Sequence, residues 1–429
     1  MKRRVLPFGV CSVLVLLAAA AVQAQSKPPQ GQKLPEHGAT SPALKPLDAL
    51  MRRFLKEHQV PGAALAVVRQ GQVVYNRGFG WADREAGRPV TPHSQFRIAS
   101  LSKPITALGI LLLADQGRLQ LDAPVLKYLP GCRPLPGKRM DPRWRQITIR
   151  HLLQHRGGWD RDRSLDCMFY PVEIAVATQG RLPPTVDQII RFMMGWPLDF
   201  DPGERYAYSN FGYCLLGRVI EHCTGEPFAR WTQRHVLHRL GCYELRQGRT
   251  LLCHRAPQEV RYYTRKDRVG FCVLADRFGE MVPAPYGTFT METLDSVGGW
   301  IATARDMAVF GSAVARAGES GLLRAETARA ITARPQGEPQ RDQEGKPKRT
   351  YYGLGWMIRE VAPGKYNLWH TGSLPGTSTL LVVRHDGFAW AVLFNMRNTA
   401  KGKRLSKTID PLIHQAVDRV VWERLEPRK

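Results

Sequence analysis

Apolar residues recur with the short period of β-strands in two regions, one near each end of the chain. Segment 63–80 contains two β-rich runs separated by Gly71, a pattern that indicates a hairpin. Segment 352–394 contains further β-rich runs, one pair of them joined by Asp386-Gly387, a dipeptide typical of hairpin turns. The pattern predicts one antiparallel sheet that brings the two ends of the chain together.

Apolar residues at helical spacing predict helices at 46–59, 105–117, 211–225 and 410–425. The second of these is apolar on nearly all sides and too short to span a membrane, which is typical of a buried core helix. The fold class is therefore α/β (α+β), with flanking helices on an antiparallel sheet. We expect a sheet lobe at about 46–104 and 291–429, and a mainly helical lobe at about 105–290. A cleft between the lobes is the expected active-site location.

The N-terminus has the pattern of a secretory signal peptide. A basic start at residues 2–4 precedes an apolar run at 5–22, and small residues end at Ala24. Pro7 weakens the run as a helix, which favours cleavage after Ala24 over an uncleaved membrane anchor. The signal peptide is thus predicted at 1–24, and the protein is expected to be secreted, to a bacterial periplasm or outside the cell.

Two regions follow the predicted cleavage site. Residues 25–45 are rich in proline, glycine, serine and lysine, which predicts a flexible tether. Residues 46–429 would form the functional domain. The length of this part is enough for a large core of one domain built from two lobes.

The net charge of +25 raises the question of a polyanionic partner. Basic residues are spread along the whole chain without a repeated basic–aromatic module, and the densest patches are 261–268 and 346–352. A solvated basic surface is the favoured interpretation, with anionic cell-envelope polymers as weak partners. No specific nucleic-acid partner is expected, and membrane contact is expected only through an uncleaved signal peptide.

The cysteine pattern argues against a structural zinc site. Export permits disulfides, and an odd number of cysteines remains once Cys11 of the signal segment is set aside. The favoured bridge joins Cys242 and Cys253, and Cys214, in an apolar helical run, is predicted to be a buried free thiol. No CxxC pair occurs, so a zinc ribbon is disfavoured.

The most informative short motif is "SLSK", in which Ser100 precedes Lys103 by one helical turn. Pro104 is tolerated only in a first turn, so a helix should begin close to Ser100. A serine at the positive end of a helix, with a buried lysine whose pKa is lowered, forms a nucleophile and its activator. The alternative is a capping serine with a surface lysine.

Two later motifs carry further candidate chemistry. Tyr208-Ser209-Asn210 precedes a predicted helix, and a phenol close to an ammonium group can be held partly as phenolate and act as a general base. The alternative is a helix cap beside a packing tyrosine. His370-Thr371-Gly372 follows a strand-like run, where a glycine lets substrate backbone approach and a strand edge can bind a ligand. The alternative there is a simple turn.

Together, in this order, the three motifs S-x-x-K, Y-x-N and H-T-G resemble those of a known family. The chain resembles the serine β-lactamases and penicillin-binding proteins, in the branch of the class C enzymes and the D-Ala-D-Ala carboxypeptidases, which includes many carboxylesterases. Supporting segments such as "ITIRHLLQHRGGW", "FDPGERYAYSN" and "HTGSLPG" extend the resemblance from about residue 46 to 425. It implies a β-lactamase/transpeptidase-like fold and an enzyme that needs no metal and no organic cofactor.

The resemblance also implies roles for individual residues. Ser100 would be the acylated nucleophile and Lys103 its activator. Tyr208 would be the general base that takes the Ser100 proton and later activates the deacylating water. Asn210 would position Lys103 and the substrate. The backbone N–H groups of Ser100 and Ser373 would form the oxyanion hole, a pair of donors that stabilises acyl transfer by several kcal/mol in other hydrolases.

The third motif departs from the usual lysine of the β-lactam-hydrolysing members. His370 is mostly neutral at neutral pH and binds a carboxylate less well than an ammonium group. We therefore expect a secreted serine hydrolase of ester or amide bonds, esterase-like or peptidase-like. The alternatives are a class C-type β-lactamase or D,D-carboxypeptidase acting on cell-wall peptides, and a catalytically inactive protein that binds peptidoglycan or a partner.

One further stretch, "HLLQHRGGW" at 151–159, needs an explanation. His151 and His155 have the i, i+4 spacing of a metal-binding pair, but the glutamate of H-E-x-x-H and a third ligand are missing. No metal site is expected. Arg156, Gly157 and Trp159 stand where the family usually has small polar residues, and they are predicted to alter the rim of the cleft.

Overall fold

The computed structural model describes residues 34–265, 268–339, 341 and 344–422. The predicted signal peptide and residues 25–33 of the predicted tether lie outside these residues. In the described part, the helices are all too short or too polar to cross a membrane.

Strands from both ends of the chain form the largest sheet, and its neighbouring strands are antiparallel, as the hydrophobic pattern predicts. The strands are β1 (Glu36–His37), β2 (Gly62–Arg69), β3 (Gln72–Asp83), β4 (Arg88–Pro89), β5 (Phe96–Arg97), β6 (Arg246–Gln247), β7 (Val269–Phe271), β8 (Met281–Pro283), β9 (Trp300–Ala302), β10 (Thr350–Tyr352), β11 (Met357–Ala362), β12 (Lys365–Leu374), β13 (Thr377–Val383) and β14 (Phe388–Phe394). The order in the sheet is β1-β3-β2-β14-β13-β12-β11-β10, with β4 paired to β3. Smaller sheets contain β5-β9-β6 and β7-β8.

The helices lie mainly between the two groups of strands in the sequence. They are α1 (Lys45–His58), α2 (Ser102–Asp115), α3 (Ile149–Leu153), α4 (Pro171–Ala177), α5 (Val186–Met194), α6 (Asn210–Thr224), α7 (Phe228–Thr232), α8 (Ala304–Ala315), α9 (Ala325–Ala330) and α10 (Leu405–Asp418). Helix α2 is buried on almost every side, as its apolar composition predicts.

The central strands of the large sheet are buried on both faces. In β2, Leu65 and Val67 belong to a core under α1 and α10, whereas Ala64 and Ala66 belong to the main core on the opposite face. The alternation follows from the period of two in a β-strand. Helix α8 packs against β2 and β14 on that opposite face.

The predicted hairpin at Gly71 is confirmed. Gln70 and Gly71 join β2 to β3 with φ values of 49° and 82°. Positive φ at both central residues matches the right-handed twist of the strands, which is why a glycine suits this turn.

The last part of the predicted tether is not loose. Glu36 pairs with Phe79 of β3, and its carboxylate lies 2.6 Å from Arg52 Nε. Thr40 donates a hydrogen bond of 2.8 Å to Asp48. Because these contacts are polar and join residues far apart in sequence, composition alone does not reveal them.

Two further expectations differ from the structure. Helix α10 begins at Leu405 rather than at residue 410 and contains Pro411, because Leu405, Ile409 and Ile413 pack into one core at helical spacing.

The predicted disulfide between Cys242 and Cys253 is wrong, since both cysteines are free thiols. Cys242 is buried with its Sγ 3.3 Å from a backbone carbonyl, and Cys253 is exposed. Cys214 is a buried free thiol, as predicted.

The large sheet reaches the site through β12. Thr379 of the neighbouring strand donates a hydrogen bond of 2.9 Å to the carbonyl oxygen of Ile98, two residues before Ser100. A Cβ atom at Gly372 would collide with that same oxygen. Glycine is therefore required here so that the strand can approach the chain beside Ser100.

We expect Gly372→Ala to lower the free energy of unfolding by roughly 1–3 kcal/mol, the usual range for an overpacked buried site. Denaturant unfolding measures the change. Gly212→Ala, in α6, is the matched control: a Cβ there meets only Leu152, at ordinary van der Waals distances, so stability should be unchanged or slightly increased. Equal stability of Gly372→Ala and the parent protein would contradict the packing argument.

Candidate active site

Ser100 lies in a strained turn that precedes α2. Ala99 has a φ of +49°, a left-handed value that is uncommon for a residue other than glycine. The Ser102 hydroxyl donates a hydrogen bond of 2.7 Å to the Ala99 carbonyl and holds the turn. Helix α2 begins at Ser102, and Ser100 is not its N-cap. The turn instead presents the Ser100 hydroxyl to a cavity.

The amine of Lys103 is fully buried beneath Ser100. Nζ lies 3.2 Å from Ser100 Oγ, 2.7 Å from Asn210 Oδ1 and 3.0 Å from the carbonyl oxygen of Val297. Burial holds the pKa of Lys103 well below its ordinary value, although Asp166 acts in the opposite direction. A capping serine with a surface lysine is thereby excluded.

Tyr208 and Asn210 reach the same point from the start of α6. Ser209 caps this helix, with its hydroxyl 3.3 Å from the backbone nitrogen of Gly212. Tyr208 donates a hydrogen bond of 2.9 Å to Ser100 Oγ. Burial raises the pKa of Tyr208 above its ordinary value, so the phenol is protonated here rather than partly ionised.

Two residues that sequence reasoning missed complete this group. Asp166 accepts a hydrogen bond of 2.6 Å from Asn210 Nδ2, which leaves Oδ1 of the same amide to face Lys103. Arg161 lies 3.6 Å from Asp166, and its guanidinium group stands 4.5 Å from the centre of the Tyr208 ring. Both residues come from a loop whose spacing carries no signal of this role.

The third motif lies inside β12 rather than in a turn. His370 is buried, its Nδ1 is 2.9 Å from the Thr371 carbonyl oxygen, and its Nε2 is 2.9 Å from the Tyr352 hydroxyl. The carbonyl can only accept, so the proton is assigned to Nδ1, and Tyr352 donates to Nε2. Burial, followed by the charge of Lys103, lowers the pKa of His370 to about 3. The imidazole is therefore neutral at neutral pH.

A cavity of about 680 Å³ surrounds these groups. Every predicted site residue except Lys103, which lies beneath it, lines this cavity: Ser100, Tyr208, Asn210, His370, Thr371, Gly372 and Ser373. Arg161, Arg397, Arg404 and Lys407 also line it, and no carboxylate does so among the described residues. The cavity is thus positively charged, and apolar side chains such as Phe169, Leu294 and Met357 form another part of its wall.

Two arginines of this cavity have no ion-pair partner among the described residues. Arg397 donates a hydrogen bond of 2.9 Å from Nε to Ser373 Oγ. Arg404 has a buried Nη1 with no hydrogen-bond partner in the described part of the chain. Burial and the charges of Arg397 and Arg161 lower the pKa of Arg404 to about 10. Like charges held together in this way favour an anionic ligand.

The side chains of residues 151–159 do not lie at the rim of the cleft, where the sequence analysis predicts some of them. His151 takes part in the capping box of α3, and His155 is buried beside Tyr208. Arg156 is also buried and donates hydrogen bonds to backbone carbonyls, and Trp159 packs against Trp144. These side chains do not form the cleft rim, and Arg161 of the same loop lines the cavity instead.

The lowered pKa of His370 has a measurable effect on stability. An unfolded chain binds a proton at this histidine below about pH 6.5, whereas the native protein does so only near pH 3. The neutral imidazole of His370 therefore contributes fully to the free energy of unfolding above pH 6.5, and this contribution is lost as the pH falls toward 3. We expect the free energy of unfolding of His370→Gln to fall less steeply with acid than that of the parent protein, with a slope smaller by about 1.4 kcal/mol per pH unit.

Denaturant unfolding at several pH values between about 7 and 4 tests this expectation. Tyr352→Phe is the control, because it removes the hydroxyl that donates to Nε2 and keeps the imidazole. Its acid sensitivity should stay close to that of the parent protein. Identical slopes for His370→Gln and the parent would show that His370 titrates normally.

Comparisons with known proteins identify what the chain is similar to. The family model described as Beta-lactamase matches residues 47–412. Esterase EstB of Burkholderia gladioli is 37% identical over 204 residues, which is 46% of this chain and 49% of EstB. Penicillin-binding protein 4* of Bacillus subtilis (strain 168) is 28% identical over 352 residues, which is 79% of this chain and 68% of that protein.

A solved structure has the same fold. The octameric penicillin-binding protein homologue from Pyrococcus abyssi superposes with a TM-score of 0.63 at 25% sequence identity, covering 87% of this chain and 77% of that chain. The EstB match spans only about half of that esterase. The predicted fold class is confirmed.

Proposed function

The chain belongs to the Beta-lactamase family, and from this membership we propose that it is a serine hydrolase that cleaves ester or amide bonds through an acyl-enzyme on Ser100. One observation carries the proposal. The Ser100 hydroxyl lies within hydrogen-bond distance of both Lys103 Nζ, at 3.2 Å, and Tyr208 Oη, at 2.9 Å. A binding protein has no need of a serine held between two proton-transfer groups.

Lys103 is the proposed proton acceptor for acylation. In its neutral form the amine has two N–H groups, which match the two carbonyl acceptors of Asn210 and Val297. The remaining lone pair then points at Ser100 and can take its proton as Oγ attacks the substrate carbonyl. The lowered pKa of Lys103 favours this neutral form. The backbone N–H groups of Ser100 and Ser373 are the proposed oxyanion hole.

Tyr208 is proposed to donate a proton to the leaving group during acylation and to accept a proton from water during deacylation. Its hydroxyl proton goes to the departing oxygen or nitrogen, and the phenolate that remains lies between the cations of Lys103 and Arg161. In deacylation, water gives a proton to that phenolate and attacks the acyl group. Ser100 then leaves and recovers its proton from Lys103. Tyr208 is therefore the general base of the second half-reaction, with the protons balanced over one cycle.

Neutral esters are the substrates that His370 favours, since a neutral imidazole offers no charge to a substrate carboxylate. A second candidate function, hydrolysis of β-lactams or of cell-wall peptides with a free carboxylate, is favoured by a different observation. Arg397 and Arg404 line the same cavity without ion-pair partners among the described residues. They could supply the positive charge that the third motif lacks.

Export and envelope partners belong to the same proposal. The basic and apolar pattern of residues 1–24 supports secretion to a periplasm or to the medium. The net charge of +25 supports weak attraction to anionic envelope polymers.

The first test compares p-nitrophenyl butyrate and nitrocefin as substrates of the purified mature protein. We expect ester hydrolysis, and we expect Ser100→Ala to lower kcat by at least roughly 10³-fold, because the nucleophile is lost. The nitrocefin rate then separates an esterase from a β-lactamase. Ester hydrolysis that survives unchanged in Ser100→Ala would contradict the proposal, and absence of all turnover would favour the inactive binding protein.

The cationic cavity gives a separate prediction on selectivity. Arg404→Gln should lower kcat/KM for an anionic ester, mono-p-nitrophenyl glutarate, by roughly 10-fold or more, since a hydrogen bond to a charged group is lost. The rate with the neutral butyrate ester should change little. Arg163→Gln is the matched control, because it removes the same charge from an exposed position outside the cavity. Equal effects of Arg404→Gln on both esters would contradict an anion-binding role.

A further inference from the structure

We propose that His155 is a positioning residue that fixes the phenol of Tyr208 against Ser100. The proposal rests on the hydrolase function above, because it concerns how one of its proton-transfer groups is held in place. His155 is buried, with 1% of its surface exposed, and within the described part of the chain it is not among the residues that line the cavity. Its contacts are instead with the chain on either side of Tyr208.

His155 holds both neighbours of Tyr208 by hydrogen bonds. The backbone nitrogen of Ala207 donates to the His155 carbonyl oxygen at 2.9 Å. The backbone nitrogen of Ser209 donates to His155 Nδ1 at 3.2 Å. One residue thus binds the positions before and after Tyr208, and its main chain and its side chain each supply one of the two acceptors.

The imidazole ring also contacts the phenol ring itself. The centroids of His155 and Tyr208 are 4.2 Å apart with an angle of 37° between the rings. The centroid of the His155 ring also lies 4.4 Å from that of Tyr352, whose hydroxyl is hydrogen-bonded to His370. The ring therefore links the second motif to the third and limits how far Tyr208 can rotate away from Ser100.

Two features of His155 show how closely the surrounding chain fixes its conformation. Its φ is +55°, a left-handed value that suits the residue just past the end of α3 and that histidine adopts more readily than most residues. Because Nδ1 accepts from Ser209, the proton lies on Nε2, and that atom is buried without a hydrogen-bond partner among the described residues. An unpartnered buried donor is retained where the surrounding structure demands a specific geometry.

The neighbouring groups keep this histidine from acting as an acid or base itself. Burial, followed by the charge of Lys103 and by His370 and Arg161, holds its pKa well below the ordinary value. It is neutral throughout the working range of a hydrolase. Its effect on catalysis is therefore on the position of Tyr208, and a misplacement of about 1 Å can lower a rate by roughly 100-fold.

The experiment compares His155→Leu with His155→Asn. Leucine fills the buried space but cannot accept the hydrogen bond from Ser209. Asparagine tolerates the left-handed conformation, and its Oδ1 can replace Nδ1 as the acceptor. His151→Asn is the matched control, since that histidine lies one turn earlier in the same segment and contacts the cap of α3. Each variant is titrated with a fluorophosphonate, so that kcat is expressed per reactive Ser100.

We expect His155→Leu to lower kcat per reactive site for p-nitrophenyl butyrate by roughly 10- to 100-fold, with KM changed less than about 3-fold. His155→Asn should recover most of the rate, and His151→Asn should resemble the parent protein. The pH profile should keep its shape in every variant, because His155 does not titrate.

Several outcomes would overturn the proposal. His155 would be a structural residue if folded His155→Leu had the parental kcat per reactive site. The same holds if the variant only had fewer sites that react with fluorophosphonate. Failure of both His155 variants to fold, judged by circular dichroism, would lead to the same conclusion. An inactive parent protein that does not react with fluorophosphonate would instead reject the hydrolase function itself, and the two failures are thereby distinguished.

Discussion

The buried amine of Lys103 is the constraint on which the arrangement of the site depends. An amine that is removed from water needs hydrogen-bond partners within the protein, and three oxygen atoms from different parts of the chain surround it: Ser100 Oγ, Asn210 Oδ1 and the Val297 carbonyl. Each of these atoms must be held in place, so the turn before α2, the start of α6 and the segment before β9 converge on one point. The need of the Lys103 amine for hydrogen-bond partners in place of water thus brings together the nucleophile, its activator and the amide that orients the activator.

The fold supplies this convergence from both ends of the chain. Strand β12, from the last quarter of the sequence, packs directly on the chain beside Ser100, where Gly372 faces the Ile98 carbonyl. The helical part contributes Tyr208 and Asn210 through the capped start of α6. The cavity lies where these parts meet, which explains why no single segment of the sequence contains a complete site.

The extent to which the sequence predicts this site depends on how local each signal is. Ser100 and Lys103 are three residues apart, and the Tyr208-Ser209-Asn210 motif precedes a recognisable helix, so both could be found in the sequence. Hairpin turns at Gly71 and Gly387 were predictable for the same reason, since a turn depends on adjacent residues.

The remaining features depend on contacts over long distances. Asp166 orients Asn210 from 44 residues away, and Glu36 fastens the N-terminal segment to Arg52 and to β3. The protonation state of Tyr208 was also predicted wrongly, because proximity to Lys103 suggested a phenolate. In the structure the effect of burial dominates and keeps the proton on the phenol. His155 looked like half of a metal pair, and only its contacts show that it borders Tyr208.

The central claim is that Ser100 becomes covalently acylated during turnover. Mass spectrometry of protein quenched with acid shortly after mixing with p-nitrophenyl butyrate tests it most directly. We predict a population heavier by one butyryl group, with the added mass on the peptide that contains Ser100, and its disappearance as the substrate is consumed. Turnover of the ester with the acyl group on a different residue would contradict the account.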